Sequence, residues 1–305
     1  MTVEIRQPAA EQPADLRLVE RAAPASSIWQ TLRRLPLLHV FVIGLFVFTA
    51  VFGEWLSPLP YNEQSLRQRF LPPAWLEGGN LRYVLGTDNL GRDVLSRIIV
   101  GARASFIVAM AALAFGSILG SAIGLAAGYY GGRFDAIVMR TADGMMAFPL
   151  VLAALLLVAV IGPGVHTVVI AASLILWARF ARLIRSEVLS VRERDFIKLA
   201  RIAGAPASRI MLVHILPNVL NSVVVLLTLQ LGFVIIVEAT LSFLGAGVPP
   251  PTPTWGQMVA GGRTYIETAW WISLFPGMAI AAVVLSFNLL GDWLRDHLDP
   301  KLRQL

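Results

Sequence analysis

Residues 190–218 read SVRERDFIKLARIAGAPASRIMLVHILPN, the longest charged interior segment of a chain that is otherwise mostly apolar. Runs that look membrane-spanning flank it on both sides. Within it Phe196, Leu199, Ala200 and Ala203 recur at helical spacing and give one apolar face, while Arg192, Arg194, Lys198 and Arg201 fill the other. Gly204 tolerates the positive φ of a helix end, and Pro206 suits the first turn of a second helix that stops before Pro217. The pattern predicts helix, turn, helix, a water-exposed pair of short elements that would face another protein. A solvated basic loop would account for the charges, but not for an apolar row beside a Gly-Pro turn.

Composition places the rest in a bilayer. Of 305 residues 56% are hydrophobic and only 14% charged, with mean hydropathy +0.70, too little polar surface to coat a soluble globule of this length. The absence of cysteine excludes disulfides, thiol nucleophiles and iron-sulfur clusters. A net charge of +6 reads as basic cytoplasmic loops in a membrane protein, not as a nucleic-acid footprint.

Taken in order, residues 1–34 predict a flexible cytoplasmic tail rich in Pro and Ala, and the uncharged run from Leu35 to Phe52 a first span. A long outer connection follows, to about residue 103. In it Asp88 or Asn89 is expected to cap a helix presenting Leu90, Val94 and Ile98 on one face, lying along the outer membrane surface. That helix is either a docking surface or a support for the next span. Residues 104–293 are expected to form a core of five further spans.

The second span, about Ala104 to Ala127, carries Gly116, Gly120, Gly124 and, just beyond it, Gly128 at four-residue intervals, a bare helix face that a neighbour can approach closely, more simply within the chain than between subunits. A basic turn, Tyr129 to Arg140, leads to a third span, about Ala142 to Ile161. The fourth, from Val165, is expected to run out of the bilayer with Arg179, Arg182 and Arg185 and feed a coupling loop at 187–217. The fifth is expected over about Val219 to Leu244 and the sixth over Trp270 to Leu290, joined by a stiff Pro-rich outer loop; residues 294–305 form an inner tail. The expected fold is all-α, a polytopic protein of six spans with both termini cytoplasmic. This places most of the 25 Lys and Arg inside and leaves Arg67, Arg69, Arg82, Arg92, Arg97, Arg103 and Arg263 outside.

The chain carries few signs of chemistry of its own. A phosphate-cradling loop needs a Gly-Lys pair, and the two lysines follow Ile197 and Pro300. His39, His166, His214 and His297 lack metal-ligand spacing, so no metal site is expected. Glu238 in the fifth span is costly in lipid and is read either at the outer interface or touching substrate. Asn221 and Gln230 are read either as pathway-lining or as cross-helix hydrogen-bonding groups.

The spacing of Ala200, Gly204, Leu216 and Pro217 resembles the cytoplasmic signature loop of binding-protein-dependent ABC importer permeases, with Lys198, Leu199 and His214 standing at its Glu, first Ala and Ile positions. LGTDNLGRDVLSRIIVGARASF from Leu85 and EATLSFLGAGVPPPTPTWG from Glu238 are similar to the C-type subunit of dipeptide, oligopeptide and nickel permeases. The resemblance implies a type I importer permease in the plasma (inner) membrane that binds no cofactor. ATP and magnesium would sit in one or two cytoplasmic ATPases, and a homologous second permease and an external solute-binding protein would complete the assembly. Phe196 and Leu199 would fill a groove on the ATPase, Arg194, Asp195 and Lys198 orient the contact, and Gly204 permit the turn. Peptides are the expected substrate, with nickel as the alternative within the family and a gradient-driven secondary transporter as the alternative outside it.

Overall fold

A computed structural model describes residues 36–298. The predicted tail at 1–34 and the last seven positions lie outside the described residues. Among the described residues the chain is helical, with one isolated bridge, Thr87 to Asp93, and no strand. Five helices of the described residues are long and apolar enough to cross a membrane, or six if one sharply bent pair counts as a single span.

The first helix, α1 (Leu37–Leu56), starts after Pro36 and outlasts the predicted span by one turn. Next come the outer connection and α2 (Val94–Tyr130), whose 37 residues make a rod of about 55 Å, well beyond a hydrocarbon core of about 30 Å. The separate surface helix expected near residue 90 is therefore absent; its second half is the outer extension of α2. Neither Asp88 nor Asn89 caps it. Asp93 does, accepting from the Ser96 N–H at 2.8 Å. Asp88 instead closes the preceding turn, taking the Leu90 and Arg92 N–H groups and pairing with the Arg92 and Arg97 side chains.

The third span is the largest departure from expectation. It is two helices, α3 (Gly132–Ala147) and α4 (Leu150–Ile161), meeting at 88° around Phe148 and Pro149. A residue before proline is pushed out of the helical region, and Phe148 has extended dihedrals. At 12 residues α4 reaches about 18 Å and cannot span the hydrocarbon core alone.

Helix α5 (Val165–Val191) does run on through its arginines as predicted, and leads into the short α6 (Asp195–Ile202). The helix after it does not stop before Pro217. From Ala207 to Phe243 it is one element, α7, containing a wide π-type turn at Ile210–Ile215 in which the Leu216 N–H reaches back to the Met211 carbonyl. A proline needs room against the preceding turn and supplies no N–H, and the extra residue in that turn provides the room. The Asn218 side-chain amide then donates to the His214 carbonyl at 2.7 Å. Helix α8 (Trp255–Gly262) lies within the outer Pro-rich connection, and α9 (Trp271–Leu298) carries the last span into the expected inner tail.

The glycine row settles how the core is built. A Cβ added at Gly116 would stand 2.4 Å from Leu176 Cβ, at Gly120 2.4 Å from the Trp177 carbonyl oxygen, at Gly124 2.4 Å from the Ala181 carbonyl oxygen, and at Gly128 2.8 Å from Val188 Cβ. All four glycines face α5 of the same chain, so α2 and α5 form a close-packed pillar. On the other side of α2 an aromatic cluster, Phe46 with Phe106, Trp255 and Phe287, draws in α1, α8 and α9.

Candidate functional site: a coupling surface and a cavity above it

The end of the pillar formed by the C-termini of α2 and α5 carries α6. The Arg192 guanidinium donates to the Gly128 carbonyl at 2.8 Å, capping the last turn of α2, and Arg201 lies over the Tyr129 ring. Arg192 is half-buried against the end of α2, whereas Arg201 keeps the exposed place its spacing gave it while lying over that ring. Ile197 is the seat of α6, 0% exposed. Gly204, at φ +76°, ends the helix, with its own N–H on the Arg201 carbonyl and the Ala205 N–H on the Ala200 carbonyl. Among the described residues no atom beyond its chain neighbours lies within 4 Å of a Cβ placed there, so only the dihedral demands glycine.

What α6 leaves uncovered is apolar. Phe196 is 40% exposed, Leu199 65% and Ile202 83%, spaced three residues apart along one side. Arg194, Asp195 and Lys198 are exposed beside them, with a Lys198–Asp195 pair at 3.4 Å. Sequence reasoning found Phe196 and Leu199 but missed both Ile197, the anchor, and Ile202, the most exposed of the row. Leu216 and Pro217 lie past the π turn and act on the path of α7, not on this face.

Two ion pairs bind α3 to α5 near the same end. Arg185 holds Asp135 through two hydrogen bonds, at 2.6 and 3.0 Å, and Arg182 pairs with Asp143. These contacts tie α2, α3, α5 and α6 to one another at this end.

Where α4 stops short there is a cavity of about 480 Å³. Residues 146–151 of the break form one wall, Ile175 and Arg179 of α5 another, and Phe233, Val237 and Thr240 of α7 part of a third. Among the described residues Arg179 is its one charged lining residue. It lies 14 positions along α5 from Val165, about 21 Å from the start of that helix. Its Nη1 donates to Gln230 Oε1 at 2.8 Å, and its guanidinium stands 4.0 Å from the centroid of the Phe233 ring. Gln230 is therefore a cross-helix partner of Arg179, and Asn221 is exposed on α7.

Glu238 lies in the last turns of α7, five residues before Phe243. It is 0% exposed, enclosed between α2 and α7, with one carboxylate oxygen accepting from Ser105 at 2.6 Å and the other from Ser242 at 2.7 Å. Two serine donors satisfy a carboxyl group that the apolar core would otherwise penalise. Among the described residues no cluster of His, Cys, Asp and Glu could hold a metal ion.

Comparison with known proteins fits this arrangement. Residues 120–304 match the family described as binding-protein-dependent transport system inner membrane component. The chain belongs to that family. Residues 24–73 match the N-terminal TM domain of oligopeptide transport permease C. The chain is 42% identical over 283 residues to the Di/tripeptide transport system permease protein DppC of Pseudomonas aeruginosa (strain UCBPP-PA14), covering 92% of this chain and 93% of that one. It is 42% identical over 286 residues to the Dipeptide transport system permease protein DppC of Escherichia coli (strain K12), covering 92% and 94%. A solved structure of the MetNI methionine ABC transporter in inward-facing conformations aligns with TM-score 0.49 and 17% identity over 67% of this chain and 96% of that one. As a binding-protein-dependent inner membrane component the chain is a multi-pass transport subunit, and the gradient-driven alternative falls.

Proposed function

We propose that this permease passes di- or oligopeptides across the inner membrane and is driven by a cytoplasmic ATPase that grips α6. The observation that carries the reading is the build of that helix: buried on Ile197, capped by Gly204, fastened by Arg192 and Arg201 to the end of the α2–α5 pillar, and bare at Phe196, Leu199 and Ile202. An apolar row with charged flanks on a short rigid helix suits insertion into a groove. Closure of an ATPase pair would then move the pillar as one body and switch the pathway between inward and outward access. A homologous second permease would form the other half of the pathway, one or two ATPases would hold ATP and magnesium, and an external solute-binding protein would deliver peptide. Both termini are cytoplasmic in this reading. This chain binds no cofactor and catalyses nothing itself. Peptide as the substrate is supported by the names of relatives such as the two above.

The test is reconstitution of the complete assembly in proteoliposomes. Uptake of labelled dipeptide is expected only when ATP, both permeases and the loaded binding protein are present; uptake by this chain alone would refute the reading.

A further inference from the structure

The cavity beneath α4 holds a cation without an anion. Among the described residues no carboxylate lies within ion-pair distance of Arg179, although Arg182 and Arg185 on the same helix each have one. A guanidinium has five N–H donors, and Gln230 takes a single one. The Phe233 ring and Gln230 fix the group in place, so little side-chain freedom remains to be lost when an anion arrives. The rest of the lining is apolar apart from Thr240, the surroundings in which a charge-assisted hydrogen bond is strongest. Leu150 and Val151, in the first turn of α4, line the same cavity, and the opening N–H groups of a helix have no carbonyl four residues back to bond.

Depth and size narrow the ligand. At about 21 Å below the outer end of α5 the site is too deep for a lipid headgroup of the outer leaflet. A volume of about 480 Å³ falls in the range, about 300–1,000 Å³, that accommodates small organic molecules. We propose that Arg179, tethered by Gln230 and Phe233 in the cavity where the third span breaks, receives the C-terminal carboxylate of a peptide during its passage. This rests on the reading of the chain as a peptide permease. A single charged contact suits a transit site, which must release what it holds.

The experiment compares a free-acid dipeptide with its C-terminal amide in the complete reconstituted transporter, scoring uptake per ATP hydrolysed so that the binding protein's own preference is divided out. Wild type and Arg179→Lys are expected to favour the acid. Arg179→Gln is expected to lower acid uptake per ATP about tenfold, the scale of one charge-assisted hydrogen bond, and to leave the amide within about twofold. Equal loss for both substrates would mean that Arg179 neutralises an acid of the neighbouring permease or holds the helices, and would overturn the proposal; so would no change. Should Arg179→Gln fail to assemble, Gln230→Leu keeps the charge and removes its tether, and an unchanged acid-to-amide ratio in that variant overturns the proposal as well. A wild-type assembly that moves neither dipeptide would instead remove the peptide reading, and this inference with it.

Discussion

Leu199→Asp separates a residue that serves a partner from one that serves the fold. Leu199 is 65% exposed and its row-mate Ile202 83%, whereas Ile197, two residues before Leu199, is fully buried. Fully covering an aliphatic side chain of this size is worth about 1.5–3 kcal/mol, so covering the exposed parts of these two would contribute roughly 2–4 kcal/mol to ATPase docking. That corresponds to about 30- to 1,000-fold in affinity. Aspartate at 199 forfeits its share and carries a charge into an apolar groove, yet removes nothing that holds this subunit together. Its effect on subunit stability should stay within about 0.5 kcal/mol. Ile197→Ala should do the reverse first, costing about 2–5 kcal/mol of local packing. The assay is retention of the ATPase on affinity-purified transporter, measured beside the melting temperature of the subunit in detergent. Normal retention and normal coupled uptake by Leu199→Asp would refute the assignment of this face.

Gly124→Val should destabilise the pillar by about 1–3 kcal/mol or force α2 and α5 apart, because its first carbon would meet the Ala181 backbone at 2.4 Å; an unchanged melting temperature would show that the helices are not so closely packed. Glu238→Gln should be tolerated, since an amide still reaches Ser105 and Ser242, while Glu238→Leu should cost about 1–3 kcal/mol per serine hydroxyl left unpaired; equal melting temperatures for the two variants would contradict this. At the N-terminal end of α2, burial pushes the Asp93 carboxyl above its ordinary range against the opposing Ser96 bonds, and among the described residues its Oδ1 has no hydrogen-bond partner. A folded-state pKa above the unfolded value gives stability that is present below about pH 4 and lost as pH rises through the raised value. Asp93→Asn keeps a good cap and should flatten that fall in melting temperature; an unaltered slope would contradict it.

The long apolar runs were legible in the sequence because lipid demands uninterrupted hydropathy, and the four-residue glycine row because backbone contact admits no side chain. The position of α6 was legible from Gly204 and from charge within an apolar chain. Periodicity could not say which apolar residue of α6 turns inward, since Ile197 and its neighbours are chemically alike and only the π turn of α7 and the end of α2 decide. The break at Phe148 and Pro149 did leave a signal, the proline itself, but an uncharged run hides a bend. The partners of Arg179 were hidden for a related reason: Gln230 and Phe233 lie on another helix, and a charge within an apolar run carries no mark of what it meets across the fold. Pro217 was taken as a stop because the wide turn that absorbs it has no sequence mark of its own.

The most direct test of the central claim uses the absence of native cysteine, which makes Ile202→Cys a unique thiol. In membranes lacking the ATPase that thiol should react with a membrane-impermeant maleimide from the cytoplasmic side only, and in the assembled transporter a short cross-linker should join it to the ATPase. Reaction from the outer side, or full ATP-driven uptake with no cross-link to the ATPase, would contradict the account.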